Sequence, residues 1–167
     1  MNSPQSIILL AEDEVNDVLL MKRAFGKVKL INPVQVVSDG EQTIAYLQGQ
    51  DPFQNREKYP LPMLILLDLK LPRRSGLEVL AWIRQQEAPV SRIPVVVLTS
   101  SKQTTDVNRA YELGANSYLV KPVTFEGLLE MVKALEMYWF ILNEQPELTL
   151  TSRILADHAT VSPSLVN

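Results

Sequence analysis

The stretch MLILLDLKLP, residues 63–72, decides the fold. Five consecutive apolar residues, Met63-Leu64-Ile65-Leu66-Leu67, run without alternation into one carboxylate, Asp68, and then toward a turn closed by Pro72. A short unbroken apolar run marks a strand buried on both faces, as in a parallel sheet covered by helices. Working outward, the same pattern recurs at Ile7-Ile8-Leu9-Leu10, at 34–37, at Val95-Val96-Val97-Leu98 and, more weakly, at Tyr118-Leu119-Val120. Helical spacing of apolar residues fills the intervals at 15–28, 43–47, 77–83, 107–113 and 128–142. Strict alternation predicts an α/β chain of five βα units, a five-stranded parallel sheet with helices on both faces, its first strand expected at the centre. Ligands in such sheets sit beyond the carboxyl ends of the strands.

Those ends carry a particular set of residues. The first strand ends in Glu12-Asp13-Glu14, the third in Asp68, the fourth in Thr99-Ser100-Ser101 and the fifth in Lys121-Pro122. Carboxylates packed together repel, so at neutral pH they share protons or hold a cation. An oxygen-only donor set suits Mg2+, which keeps several waters and takes one or two carboxylates plus a phosphate oxygen. A lysine and a hydroxyl on neighbouring strands add donors for a phosphoryl group carried by a carboxylate. Each cluster alone also has an ordinary structural reading. The acidic residues after strand one suit a helix N-terminus, Asp68 suits a turn, and Thr99-Ser100-Ser101 suits the cap of the next helix. All four fall at strand ends in the order one pocket requires, and that coincidence favours a Mg2+ and phosphate site.

Composition narrows the alternatives. The 167 residues contain 16 Lys and Arg against 19 Asp and Glu, no Cys and one His, with a formal charge of −3. That length suits one domain. Without cysteine there is no disulfide framework, thiolate metal site or thiol nucleophile. The acidic balance offers no basic surplus for nucleic acid, so none is expected as a partner. Apolar runs fall far short of the ~20 residues that span a bilayer, and 7–11 is too short for a signal-peptide core. No membrane partner is expected, and the expected location is cytoplasmic. The one histidine, His158, lies in the irregular tail and is expected to be solvated, which removes histidine from the candidate general bases. Residues 49–62, GQDPFQNREKYPLP, read as a surface loop without an assigned role.

The set Glu12-Asp13, Asp68-Leu69-Lys70-Leu71-Pro72 with Gly76, Pro94-Val95-Val96-Val97-Leu98-Thr99 and Lys121-Pro122 resembles the receiver domain of two-component response regulators. The resemblance spans residues 5–142 and implies the (βα)5 flavodoxin-like receiver fold, with 143–167 a C-terminal extension carrying no separate output domain. It implies that Asp68 is the phosphoacceptor, that Glu12, Asp13, Asp68 and the backbone carbonyl of Lys70 surround Mg2+, and that Lys121 binds the phosphoryl group. Thr99 becomes the switch hydroxyl, Tyr118 the aromatic switch residue, and Pro122 follows Lys121 through a cis peptide. The loop before strand three and the helix ending Tyr138-Trp139-Phe140 are similar to single-domain regulators paired with cyanobacterial phytochromes. A sensor histidine kinase of phytochrome type is the partner so implied. Glu12 stands where the family more often has Asp. Lys70, two residues after Asp68, is placed either over the phosphoryl group or toward solvent.

The last helix carries two apolar seams. One runs Leu128, Val132, Leu135, Trp139, Leu142 and the other Met131, Ala134, Tyr138, Ile141. Two seams are wider than packing on a sheet requires. The second is therefore a candidate homodimer interface, unless the tail folds over it. Two rival functions remain. A degenerate receiver acting only as an interaction module conflicts with the presence of Asp68, Thr99 and Lys121. A Mg2+-dependent aspartyl-phosphate phosphatase of haloacid-dehalogenase type requires a second Asp two residues after the nucleophile, where this chain has Lys70. The protein is thus expected to be a phosphoacceptor signalling domain rather than an enzyme, capable at most of self-catalysed phosphotransfer and autodephosphorylation.

Overall fold

A computed structural model describes residues 6–148. Five strands, β1 (Ile8–Ala11), β2 (Val34–Val37), β3 (Leu64–Leu67), β4 (Val95–Thr99) and β5 (Ser117–Val120), form one parallel sheet in the order β2-β1-β3-β4-β5. Five helices cross between or follow them: α1 (Val15–Lys27), α2 (Gly40–Gln48), α3 (Gly76–Gln85), α4 (Thr104–Glu112) and α5 (Phe125–Leu135). The middle strand is β3, not β1 as expected, and β1 lies between β2 and β3. Both strands are buried throughout, so the apolar pattern could not rank them by position.

Alternation of side chains across the sheet divides the interior in two. Leu9, Ala11, Ile65, Leu67, Val95 and Val97 face Tyr46 and Leu47 of α2, Val79, Leu80 and Ile83 of α3, and Ala110 of α4. Ile8, Leu10, Leu64, Leu66, Val96 and Leu98 face Met21, Ala24 and Phe25 of α1, Leu128, Val132 and Leu135 of α5, and Trp139. Helix starts are chemically marked. Asp39 accepts from the Gln42 amide at 2.7 Å, and Thr124 from the Gly127 amide at 3.0 Å. Ser75 and Glu78 form a reciprocal capping box. Two ordinary readings of the strand ends are corrected here. The N-cap of α1 is Glu14, whose side chain caps nothing, and the N-cap of α4 is Gln103 rather than a member of the Thr-Ser-Ser run.

The helical pattern expected to run to Leu142 stops being α-helical after Leu135. Glu136–Leu142 is a π-helix, closed by the Asn143 amide on the Tyr138 carbonyl at 2.8 Å. The wider turn breaks the three-and-four stepping. Trp139 stays buried, but Leu142 emerges 68% exposed, and Phe140 packs against the α1/α5 core instead. Of the second seam, Met131 is half-buried, while Ala134, Tyr138 and Ile141 are exposed. From residue 149 on, the tail proposed to cover it, with the weak helical segment 154–158 and His158, lies outside the described residues.

The loop 49–62 is packed rather than loose. Phe53 and Tyr59 stack against Tyr46 with centroids 5.1 and 6.0 Å away, and the Tyr46 hydroxyl donates to the Pro60 carbonyl at 2.9 Å. The Arg56 guanidinium donates to the carbonyls of Tyr46 and Leu47, both at 2.7 Å, so it adds to the closure of the C-terminal end of α2.

Candidate functional site

Sheet register assembles the site. Ala11 pairs with Leu67, so the next residues, Glu12 and Asp68, emerge side by side. The Asp68 amide donates to the Ala11 carbonyl at 3.0 Å and the Glu12 amide to the Val37 carbonyl at 3.0 Å, so both carboxylates leave fixed backbone. On the other side Thr99 pairs with Val120, and the Lys121 amide donates to the Thr99 carbonyl at 2.8 Å. The β3–α3 turn is pinned by the Gly76 amide on the Leu69 carbonyl at 2.8 Å.

Glu12 and Asp68 are almost fully buried and Asp13 is half-buried. One oxygen from each lies within 4.8 Å of the others, an all-oxygen donor set that fits a small hard cation. The Lys121 ammonium enters this cluster and donates to Glu12 Oε2, to Asp68 Oδ2 at 2.9 Å and to Asp17 Oδ2 at 2.9 Å. The second Asp68 oxygen accepts from the Lys70 amide at 3.1 Å, and Glu12 Oε1 accepts from the Glu14 amide at 3.1 Å. Burial pushes the Glu12 carboxyl up to about 7, against the hydrogen bond from Lys121 and with the Asp68 charge adding to the rise. Burial also works to raise Asp68, but hydrogen bonds from Lys121 and the Lys70 amide outweigh it and hold this carboxyl below its ordinary range. On Lys121 burial favours the neutral amine, and the bonds to Asp68, Glu12 and Asp17 overturn that and raise its pKa. Asp68 is therefore an ionised carboxylate held beside a protonated ammonium.

The hydroxyl residues stand on the same rim. Thr99 is fully buried, and its Oγ1 accepts from the Ser101 amide at 3.5 Å. Tyr118 lies beside Val97, on the α2/α3 face of the sheet, and its hydroxyl donates to the Ser101 carbonyl at 3.0 Å. Burial raises the Tyr118 pKa, which keeps the phenol protonated and able to donate. Ser101 in turn donates from Oγ to Asp106 of α4. The sequence brings Glu12, Asp13, Asp68, Thr99 and Lys121 to one end of the sheet as expected, with Tyr118 adjoining.

Some expectations change. Glu14 is exposed and stands outside the cluster. Lys70 is exposed. The cis bonds among the described residues precede Pro52 and Pro89, so Lys121–Pro122 is trans, the isomer favoured by ~0.5–1 kcal/mol before proline. Asp17 was not anticipated as a partner of the site, nor were the bonds by which Ser101 links Tyr118 and Asp106. An acid in the first turn of a helix is normally explained by the macrodipole, and only its spacing of four from Asp13 hints at more.

Away from the strand ends, Leu119 of β5 and Met131, Leu135, Tyr138 and Trp139 line an apolar cavity of about 260 Å³. Among the described residues, no helix is long and apolar enough to cross a membrane.

The sequence model of the response regulator receiver domain matches residues 8–133. The chain is 40% identical over 138 residues to response regulator Rcp1 of Synechocystis sp., covering 83% of this chain and 91% of that protein. A crystal structure of the Mn2+-bound form of Rcp1 superposes with a TM-score of 0.77 at 39% identity, over 85% of this chain and 99% of that one. The phosphorylated cyanobacterial phytochrome response regulator RcpA superposes with a TM-score of 0.79 at 35% identity, over 86% and 99%.

Proposed function

The chain belongs to the response regulator receiver family, and on that premise we propose that it is a single-domain regulator whose Asp68 accepts a phosphoryl group from a phytochrome-type sensor histidine kinase. The observation that carries this reading is the meeting of Asp68, Glu12, Asp13 and Lys121 in one crevice, with Asp68 ionised and Lys121 at hydrogen-bond distance. In the reaction an Asp68 carboxylate oxygen bonds to phosphorus as the P–N bond to the kinase imidazole breaks, and that ring keeps the electron pair. Lys121 donates to the oxygens of the transferring group. Glu12, Asp13, Asp68 and the Lys70 backbone carbonyl would hold Mg2+, which when bound would supply further positive charge to those oxygens.

The acyl phosphate draws the Thr99 hydroxyl away from the Ser101 amide. The β4–α4 connection, which Tyr118 and Asp106 both grip through Ser101, then moves with it and changes the surface. The receiver unit spans 5–142 with 143–167 as an extension, and the protein works in the cytoplasm. Output comes through association of two copies along Met131, Ala134, Tyr138 and Ile141, an apolar row exposed at its last three members and lying beside the β5–α5 cavity. The test is transfer of ³²P from a phosphorylated phytochrome-type kinase. Base-labile label is expected on the wild-type chain and none on Asp68→Asn; equal label on the variant overturns the assignment.

A further inference from the structure

An ammonium group has three N–H donors and no more, and every donor of Lys121 is engaged, on Glu12, Asp68 and Asp17. The three acceptors are not equivalent. The side chains of Glu12 and Asp68 are 3% and 7% exposed and belong to the cation-binding set, whereas that of Asp17 is 38% exposed and lies outside the set. A cation bound by Glu12, Asp13 and Asp68 has its own claim on those oxygens. Asp17 does not share in it, and among the described residues Lys121 is the cation in ion-pair reach of Asp17. Asp17 lies in the first turn of α1, where the helix dipole favours its charge.

We propose that Asp17 is a positioning residue that competes with the phosphoryl group for Lys121 and so restrains phosphorylation of Asp68; the inference rests on the reading of Asp68 as phosphoacceptor. An arriving phosphoryl group brings oxygens that need the donors of Lys121. Asp17 retains one of those donors and draws the ammonium toward α1. It also adds a negative charge to a crevice that already holds the carboxyl groups of Glu12, Asp13 and Asp68. Because Asp17 faces solvent, it is the acceptor that water can best satisfy once Lys121 turns away. The competition is therefore graded, of the size of a solvent-facing ion pair, and not a block.

The test compares the full chain with Asp17→Asn, which keeps the shape and removes the charge, and with Asp17→Glu, which keeps the charge. With ³²P-labelled acetyl phosphate and Mg2+, Asp17→Asn is expected to lower KM about two- to fivefold with a smaller change in kcat, and Asp17→Glu to return it toward wild type. In the metal-free chain carrying ¹³Cε-lysine, the Lys121 resonance is expected to move in Asp17→Asn and to return in Asp17→Glu. An unchanged or raised KM in Asp17→Asn, or an unmoved Lys121 resonance, overturns the competition while leaving Asp68 as acceptor. A wild-type chain that takes no label overturns the phosphoacceptor reading and this inference with it.

Discussion

Substituting Gly76 by alanine tests whether the start of α3 is what holds Asp68, the proposed phosphoacceptor, in place. A Cβ on Gly76 would overlap the Asp68 carbonyl oxygen and sit 2.7 Å from Leu69 Cα and 2.9 Å from the Asp68 carbonyl carbon. Every one of these atoms is backbone, so none can rotate aside as a side chain would. Relief requires separating the β3–α3 turn from the helix, which stretches the 2.8 Å bond from the Gly76 amide to the Leu69 carbonyl. Overpacking a close-fitted interior costs ~1–3 kcal/mol, and the backbone contact places this site at the upper end. The weakened hydrogen bond adds ~0.5–1.5 kcal/mol, and the better helix propensity of alanine returns at most ~1 kcal/mol. The net expectation is a loss of about 2–4 kcal/mol, which at a mid-range urea slope of ~2 kcal/mol/M lowers the unfolding midpoint by about 1–2 M. Gly26, exposed in α1 with no atom within 4 Å of the point a Cβ would occupy, is the control, and alanine there should be neutral or stabilising by ~0.5–1 kcal/mol. Phosphoryl uptake by Gly76→Ala should slow, since Asp68 is displaced with its own carbonyl. A Gly76→Ala midpoint within error of wild type, with undiminished uptake, would refute the reasoning.

Two further outcomes concern charge and assembly. In the metal-free chain Glu12 titrates near 7 instead of its ordinary 4.5, so the folded state binds that proton more tightly than the unfolded state. Stability should therefore fall, by up to about 3 kcal/mol, as pH rises from 4.5 through 7. Asp68, held low, acts with the opposite sign and only below about 4. Urea midpoints in EDTA should show the decline, and Glu12→Gln should flatten it; a flat wild-type profile removes the buried-carboxyl argument. Tyr138 is 56% exposed on the row with Ile141, and Tyr138→Glu should convert a dimer at tens of micromolar into a monomer by sedimentation. A monomeric wild-type chain at that concentration ends the dimer reading.

The strands were legible because a sheet covered on both faces demands unbroken apolar runs, and 63–67, 95–98 and 7–10 have no other economical interpretation. Strand order was less so: doubly buried β1 and β3 look alike in composition, and only pairing distinguishes the middle from its neighbour. The end of α5 failed for a geometric reason. A three-and-four apolar repeat presumes α-helical pitch, and the π-helix at Glu136–Leu142 changes the pitch without changing the composition. In the loop 49–62, Arg56 reads as a solvated charge, yet its guanidinium adds to the closure of the end of α2; a long side chain that bonds carbonyls leaves no periodic trace.

The candidate site divides along the same physical line. Glu12, Asp68, Thr99 and Lys121 each sit at or just past a strand end, so locating the strands locates the residues and a parallel register brings them together. Asp17 follows another rule. Its partner Lys121 is 104 residues away in sequence, and its place in the first turn of α1 has a sufficient local explanation in the helix dipole. A residue that satisfies a local rule gives no sign that it also serves a distant one. Ser101 is hidden similarly, because a hydroxyl between a strand and a helix reads as a cap, whereas here its carbonyl accepts from Tyr118 and its hydroxyl reaches Asp106. The charged groups at the centre of this crevice are thus set by strand position and readable one at a time. Those that adjust it lie on α1 and on the approach to α4, where one side chain answers both to its own helix and to a neighbouring strand.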